Sequence, residues 1–230
     1  MDYSAKNILA IDCSTSEMKL GFQFGADRLV KSITPAEQSH SALIMKGIAQ
    51  LLHSADSKVQ DLNAIVVATG PGSFTGLRIG IAAAKGMAAA LGIPVVGVSL
   101  FELAAYKIDK AGNEVKVVVP FKKGAFFVAV LQRGKIDESE IATVTSDELK
   151  NYVNGGLIAV LGGADISGLI PDKRQLINSE KTKYDASELI YLGVQKLNRK
   201  ELADLARLEP LYVQKSQAEI KFEQNRNQKA

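Results

Sequence analysis

A glycine-rich turn that leads into a helix is one place where this sequence could bind a phosphate. The stretch runs from Gly70 to Gly76 ("GPGSFTG") and is followed by Leu77. A phosphate-binding P-loop needs a lysine and then a serine or threonine, because the lysine reaches the outer phosphates and the hydroxyl binds magnesium. Those residues are missing here, although backbone N–H groups at a helix N-terminus still attract an anion weakly. We therefore favour a turn that redirects the chain from strand to helix, with nucleotide binding as the alternative.

The loop Asp12–Glu17 ("DCSTSE") has the form of the first phosphate loop of an actin-like kinase or ATPase. Such an enzyme needs two phosphate loops that face each other across a cleft, with carboxylates to hold Mg²⁺. The second loop, expected after "VKVVV", is replaced by "PFKK" from Pro120. This argues against phosphoryl transfer, and Asp12 is expected to accept hydrogen bonds from its own turn. The candidate nucleotide-binding residues are Asp12, Ser14, Thr15, Gly72 and Ser73.

Two other kinds of catalytic site require side chains that the sequence does not bring together. A ribonuclease-H-type nuclease needs several carboxylates at the ends of its central strands, and Asp12 is the only good candidate. A metalloprotease needs clustered ligands, but the only histidines, His40 and His53, fall on roughly opposite sides of one predicted helix. We therefore predict no catalytic residue, no metal and no cofactor, and give His40 a structural or interfacial role.

The composition is that of a folded protein without disulfides. The 230 residues are 47% hydrophobic, enough for a sizeable core, and Cys13 is the single cysteine. We find no signal peptide and no apolar run that approaches the roughly 20 residues needed to cross a bilayer, which predicts a cytoplasmic protein without membrane contact. A net charge of +3 is too small to indicate direct binding of nucleic acid.

The hydrophobic pattern predicts an α/β fold with a duplicated architecture. The first hundred residues predict strands at 7–12, 19–24 and 28–33, a helix capped by Ser39, a buried strand at 64–69, a long helix and a strand at 94–98. This order is typical of a ribonuclease-H-like lobe, and two such lobes form the actin-like ATPase (ASKHA) architecture. We assign 1–100 to the first lobe, 101–220 to a second, reduced lobe that includes a largely helical segment at 185–207, and 221–230 to a polar tail.

The long helix after the glycine loop has an unusually small and uncharged surface. Gly76, Gly80, Ala84 and Ala88 follow one another four residues apart, which forms a ridge that another backbone can approach closely. A helix that is apolar nearly all round must be buried nearly all round, so we predict a partner helix on this ridge, with cover by the second lobe or the C-terminal segment as the alternative. Gly80→Leu is expected to disrupt that contact and leave the monomer folded.

The predicted contact residues lie on this helix and on the one before it. They are Gly76, Leu77, Arg78, Gly80, Ile81, Ala84, Lys85, Ala88, His40 and Leu43.

Four stretches together resemble the TsaB (YeaZ) family, the non-catalytic partner of TsaD in making threonylcarbamoyladenosine on tRNA. They are "ILAIDCSTS", "HSALIM", "GPGSFTGLRIGIAAAKGMAAALGIPVVGVSLFELAA" and "EPLYVQKSQAE". The resemblance implies an actin-like fold and a scaffold that forms homodimers alone and heterodimers with TsaD through one helical face. It also implies that TsaE joins the complex, and that tRNA is met only indirectly, at adenosine 37. The chain departs from the family pattern at Cys13, where a threonine is usual, and at Pro120–Phe127, where an acidic and aromatic cluster is common.

Two functions of other classes stay open beside the scaffold. One is a small actin-like kinase or ATPase that acts on a metabolite, for which tight Mg-ATP binding with turnover would be the sign. The other is a self-associating module with a different client protein.

Overall fold

The computed structural model describes residues 2–35, 40–108, 114–137, 140–153, 155–170 and 172–211. The first sheet contains β1 (Ile8–Asp12), β2 (Glu17–Phe24), β3 (Arg28–Pro35), β4 (Ala64–Gly70) and β5 (Val95–Ser99). Its order is β3-β2-β1-β4-β5, with β1 to β3 antiparallel and β4 and β5 parallel to β1. The predicted meander and the two crossovers are thus confirmed.

The second sheet also has five strands, of which the last three are short. It contains β6 (Val115–Lys122), β7 (Ala125–Gln132), β8 (Lys135–Ile136), β9 (Ala142–Thr145) and β10 (Leu157–Val160). Strand β7 pairs antiparallel with β6, β8 and β9, and β10 runs parallel to β6 as β4 does to β1. The α/β fold with a reduced second copy is therefore confirmed.

Helices cover the first sheet on both faces because its central strands are apolar at every position. On one face, α1 (His40–Ser54) and α2 (Phe74–Leu91) pack on alternate strand residues such as Leu9 and Ile11. On the other face, α3 (Leu100–Ile108) and α6 (Ala186–Asn198) pack on Ile8 and Ala10. Inner-face residues of the second sheet belong to that same cluster, so α3 and α6 lie between the two sheets. The outer face of the second sheet carries α4 (Ser146–Tyr152), and α5 (Ser179–Thr182) adjoins β10.

Glycines allow α6 to approach the first sheet closely. A Cβ atom at Gly193 would overlap the side chain of Val66 on β4, and one at Gly21 on β2 would overlap Ala186 at the start of α6. The C-terminal segment, which the sequence assigns to the second lobe, therefore packs on the first sheet.

Three differences from the sequence-based expectations concern helices. The helical segment predicted over 185–207 ends at Asn198, and α3, α4 and α5 were not predicted. The 18-residue helix α2 is long and apolar enough to span a membrane by length and composition alone, contrary to our expectation, yet seven of its residues are buried within the lobe. The predicted cap Ser39 and the polar tail 221–230 lie outside the described residues.

The chain after α6 runs along the edge of β5. The Ala203 amide donates to the Val95 carbonyl and the Leu211 amide to the Thr69 carbonyl, each at 2.8 Å. Lys85 on α2 donates through Nζ to the Leu208 carbonyl at 3.2 Å. The C-terminal segment therefore contacts α2 at Lys85.

Candidate functional site

The carboxylate of Asp12 is the centre of a buried polar cluster at the carboxyl end of β1. Only 1% of Asp12 is exposed. Its Oδ1 accepts hydrogen bonds from the Ser14 amide at 2.7 Å and the Ser14 hydroxyl at 2.5 Å. Its Oδ2 accepts a hydrogen bond from the Tyr184 hydroxyl at 2.8 Å. Both oxygens of the carboxylate are therefore engaged by the protein itself.

The glycine loop lies directly against this cluster. The Ser73 amide donates to the Ser14 carbonyl at 2.7 Å, and the Gly72 backbone is so close to Ser14 that a Cβ atom would overlap its carbonyl. The Ser73 hydroxyl accepts a hydrogen bond from the Gly76 amide at 3.2 Å and caps α2. The candidate nucleotide-binding residues thus meet in one place, where their polar groups satisfy one another.

Lys19 is a buried cation at the same site, with 4% of its surface exposed. Its Nζ donates to the Thr15 hydroxyl at 3.0 Å and pairs with Glu17 at 3.1 Å. The ammonium group also lies 4.9 Å from the centre of the Tyr184 ring, within the range of a cation–π interaction. The charge that could attract a phosphate is therefore already neutralised. Sequence reasoning missed both Lys19 and Tyr184; Tyr184 lies 172 residues from Asp12 in the chain, and no local motif links the two.

The far wall of the cleft comes from the second sheet. Gly162, which follows β10, is so close to Thr15 that an added Cβ would lie 3.1 Å from the Thr15 methyl and 3.7 Å from Pro120. Pro120 is the residue that stands where a second phosphate loop would begin. The two sides of the cleft are in contact here, at the position where an actin-like enzyme would hold its phosphates.

Burial governs the titration of the hydroxyl and thiol in this cluster. Desolvation raises the pKa of Tyr184 well above its ordinary value, and the negative charge of Asp12 raises it further. Desolvation, with Asp12 as a second cause, raises the pKa of the Cys13 thiol from 9.0 to about 12. The tyrosine therefore stays a hydrogen-bond donor, and the thiol is not a nucleophile at neutral pH.

The pKa shifts predict a loss of stability in alkali. The folded state holds the Cys13 and Tyr184 protons more tightly than the unfolded chain, so these shifts leave stability intact below about pH 9 and reduce it as the pH rises. Between pH 9 and 10 the thiol dominates, and we expect the free energy of unfolding to fall by about 1 kcal/mol from this group. The charged groups around Cys13 and Tyr184 are Asp12, Glu17 and Lys19, and a substitution of Cys13 leaves all three in place.

Urea unfolding of wild type and Cys13→Ala at pH 7, 9 and 10 measures this effect. The variant should lose less stability between pH 9 and 10 than wild type does. Equal losses in the two proteins would contradict the assignment.

The histidines and acidic side chains of the described ranges bear on metal binding. Among the residues that the structure describes, no group of three His, Cys, Asp or Glu side chains could hold a metal ion. His53 lies exposed in the last turn of α1, and the side chain of His40 is outside the described part. The side chains of Asp12, Ser14 and Lys19 are engaged with partners inside the fold, where they stabilise it.

The small-residue ridge of α2 faces inward, contrary to the prediction. Gly76, Gly80, Ala84 and Ala88 are buried, as are Leu77 and Ile81 from the predicted contact set. The ridge packs on the first sheet: an added Cβ at Gly80 would lie in van der Waals contact, at 3.5 Å, with Ile11 of β1 and with Cys13 just after it. Gly80→Leu would push a large side chain towards the sheet, so on this structure we expect it to destabilise the monomer as well.

A second surface of small and apolar residues lies on α1 and α2, on the side that faces away from the first sheet. We call it the α1–α2 face. It consists of the exposed residues Ala42, Met45, Ala49, Ala82 and Gly86 and the half-buried residues Ile79 and Ala83. Met45 is 54% exposed, and an added Cβ at Gly86 meets no atom within 4 Å. Arg78 lies exposed beside the face, with its guanidinium 3.9 Å from the centre of the Phe74 ring. Of the remaining predicted residues, Lys85 and Leu43 are half-buried.

The sequence carried a signal that could have located this face. The large apolar side chains of α2, Leu77, Ile81 and Met87, mark the side that packs on the sheet. Ala82 and Gly86 lie on the far side of the helix from them and are therefore the residues left to solvent.

Comparison with known proteins places these features in a family. The family model "TsaD: tRNA N6-adenosine threonylcarbamoyltransferase" matches residues 33–222. The tRNA threonylcarbamoyladenosine biosynthesis protein TsaB of Bacillus subtilis is 28% identical over 94% of this chain and 97% of its own length. TsaB of Escherichia coli is 33% identical over 55% of each chain.

Solved structures agree on the fold. YeaZ from Pseudomonas aeruginosa superposes with a TM-score of 0.69 over 90% of this chain and 99% of its own, at 22% identity. Its likeness bears on the fold alone. Because the TsaD model spans most of the sequence and a relative that matches end to end is a TsaB protein, the chain belongs to the TsaB (YeaZ) branch of the TsaD family.

Proposed function

We propose that this protein is a non-catalytic scaffold subunit in the biosynthesis of threonylcarbamoyladenosine on tRNA. It dimerises with TsaD and, together with TsaE, supports threonylcarbamoyl transfer to adenosine 37. The exposed α1–α2 face is the observation that carries this proposal. The names of the relatives point to the same pathway.

The α1–α2 face has the properties of a helix-packing interface. Ala82 and Gly86 let another backbone come close, while Met45 and Ile79 offer adaptable apolar contact. Large exposed apolar patches are uncommon on a monomer and mark interaction sites. A stable contact here would bury roughly 800 Å² per partner.

The same face serves a homodimer when TsaD is absent. A self-complementary contact about a two-fold axis would place α1 and α2 of one copy against those of the other. TsaD then competes with the second copy, so the two assemblies exclude each other. Contact with tRNA is indirect, through the complex, and the proposed site of action is the cytoplasm.

The cleft supports the non-catalytic part of the proposal. Asp12, Ser14 and Lys19 are committed to internal hydrogen bonds and an ion pair, and Gly162 closes against Thr15. A phosphate or magnesium ion would have to displace these partners. The protein therefore contributes a surface, and its partner contributes the chemistry.

Reconstituted modification of tRNA with TsaD and TsaE tests the proposal. Leaving this protein out should reduce modification at least tenfold. Ser14→Ala, which removes a hydroxyl from the cleft, should support modification within about twofold of wild type, whereas Gly86→Arg on the α1–α2 face should not support it. Full activity without the protein, or a large loss with Ser14→Ala alone, would overturn the scaffold assignment.

A further inference from the structure

Tyr184 connects the two halves of the molecule at the cleft. It stands between α5, which adjoins β10 of the second sheet, and α6, which packs on the first sheet. Only 7% of it is exposed, and its hydroxyl donates to Asp12 at the end of β1. The next residue, Asp185, caps α6 and pairs with Lys31 on β3 at 2.6 Å. The chain is thus fixed to the first sheet as it arrives from the second.

The Asp12 carboxylate depends on Tyr184 for one of its two sides. The Ser14 amide and hydroxyl donate to Oδ1, and the Tyr184 hydroxyl donates to Oδ2. A hydrogen bond between a hydroxyl and a buried carboxylate is stronger than one between neutral groups, and breaking it leaves the oxygen without a partner unless water enters. Asp12 is 1% exposed, so water can reach this oxygen only if the surrounding residues move apart. Gly162 from the second sheet lies against Thr15 at the same place.

We propose that Tyr184 is a latch that holds the cleft between the two sheets closed through its hydrogen bond to Asp12. In this account the loop Asp12–Glu17 and the glycine loop become accessible to water together, when the latch releases, while the core of the first sheet stays folded. The inference concerns this conformational step and stands independently of the proposed scaffold role.

Amide hydrogen exchange on Tyr184→Phe tests the latch. The variant keeps the ring and removes the donor. Three amides report on the cleft: Ser14, bonded to Asp12; Glu17, bonded to the Thr15 hydroxyl; and Ser73, bonded to the Ser14 carbonyl. We expect exchange at these amides to accelerate at least tenfold, with amides of β4 and of the α2 interior unchanged within about twofold.

Tyr191→Phe is the matched control, because Tyr191 lies on α6 and is 48% exposed. It should leave all three amides unchanged. If Tyr184→Phe does not give folded protein, Asp12→Asn weakens the acceptor of the Tyr184 hydroxyl instead, and exchange is then read at the Glu17 and Ser73 amides, because the Ser14 amide donates to Asp12 directly. Unchanged exchange at the cleft amides, or equal acceleration in β4 and α2, would overturn the latch.

Discussion

Gly86→Arg should lower the affinity of this protein for its partner at least 100-fold. Gly86 is the last α2 residue of the α1–α2 face, and an added Cβ there meets no atom within 4 Å. Within a close helix contact, an arginine side chain would hold the two backbones apart or bury a charge without a partner. An effect of 100-fold corresponds to about 2.7 kcal/mol, which is the size seen for central residues of an interface.

The fold itself should tolerate this change, because replacing glycine in an exposed helix position by arginine favours the helix by several tenths of a kcal/mol. Gly168→Arg is the matched control: it is another exposed glycine with open space, located on the second lobe. Binding measured by calorimetry against purified TsaD should be unchanged for that control. An affinity for Gly86→Arg within threefold of wild type would remove Gly86 from the interface.

Gly193→Ala should destabilise the protein by about 2 kcal/mol or more, which corresponds to a fall in Tm of roughly 5 °C for a chain of this size. The added methyl would overlap the Val66 side chain, and Val66 is completely buried in β4. The helix α6 would have to shift away from the first sheet, and the gain in helix propensity is too small to offset the lost packing.

A double-mutant cycle with Val66→Ala tests whether steric overlap with Val66 causes the destabilisation by Gly193→Ala. Shortening Val66 leaves room for the new methyl, so the double variant should be more stable than the sum of the two single effects predicts. Gly86→Ala serves as the control in an open helix position and should raise stability slightly. Additive effects in the cycle would show that the destabilisation arises elsewhere.

The fold of the first lobe could be predicted because its local signals agree with its tertiary packing. The alternation and the uninterrupted apolar runs of β1 and β4 indicate strands with helices on both faces, and the structure has them. The return of α6 to the first sheet could not be predicted. It depends on the fit of Gly193 against Val66, a contact between residues that no sequence period connects.

The orientation of α2 shows where helical spacing alone is ambiguous. Small residues permit close approach to any neighbour. The ridge that contains Gly80 packs on β1 of its own lobe. A second set of small residues, with Ala82 and Gly86, is left on the solvent side. Both surfaces satisfy the same spacing rule, so only the positions of the large side chains distinguish them.

At the cleft the sequence identifies the residues of the site but not all of their hydrogen-bond partners. The motif around Asp12 and the glycine loop could be recognised locally, and the sequence favoured hydrogen bonds within the turn for Asp12, which the structure confirms. Occupation of the site by Tyr184 required the tertiary structure, since that residue comes from the connection to α6.

Sedimentation velocity of this protein mixed with equimolar TsaD tests the scaffold account most directly. The account predicts a one-to-one heterodimer that replaces the homodimer of this chain, and it predicts that the Gly86→Arg variant sediments separately from TsaD. Wild-type protein that sediments independently of TsaD at micromolar concentrations would contradict the account.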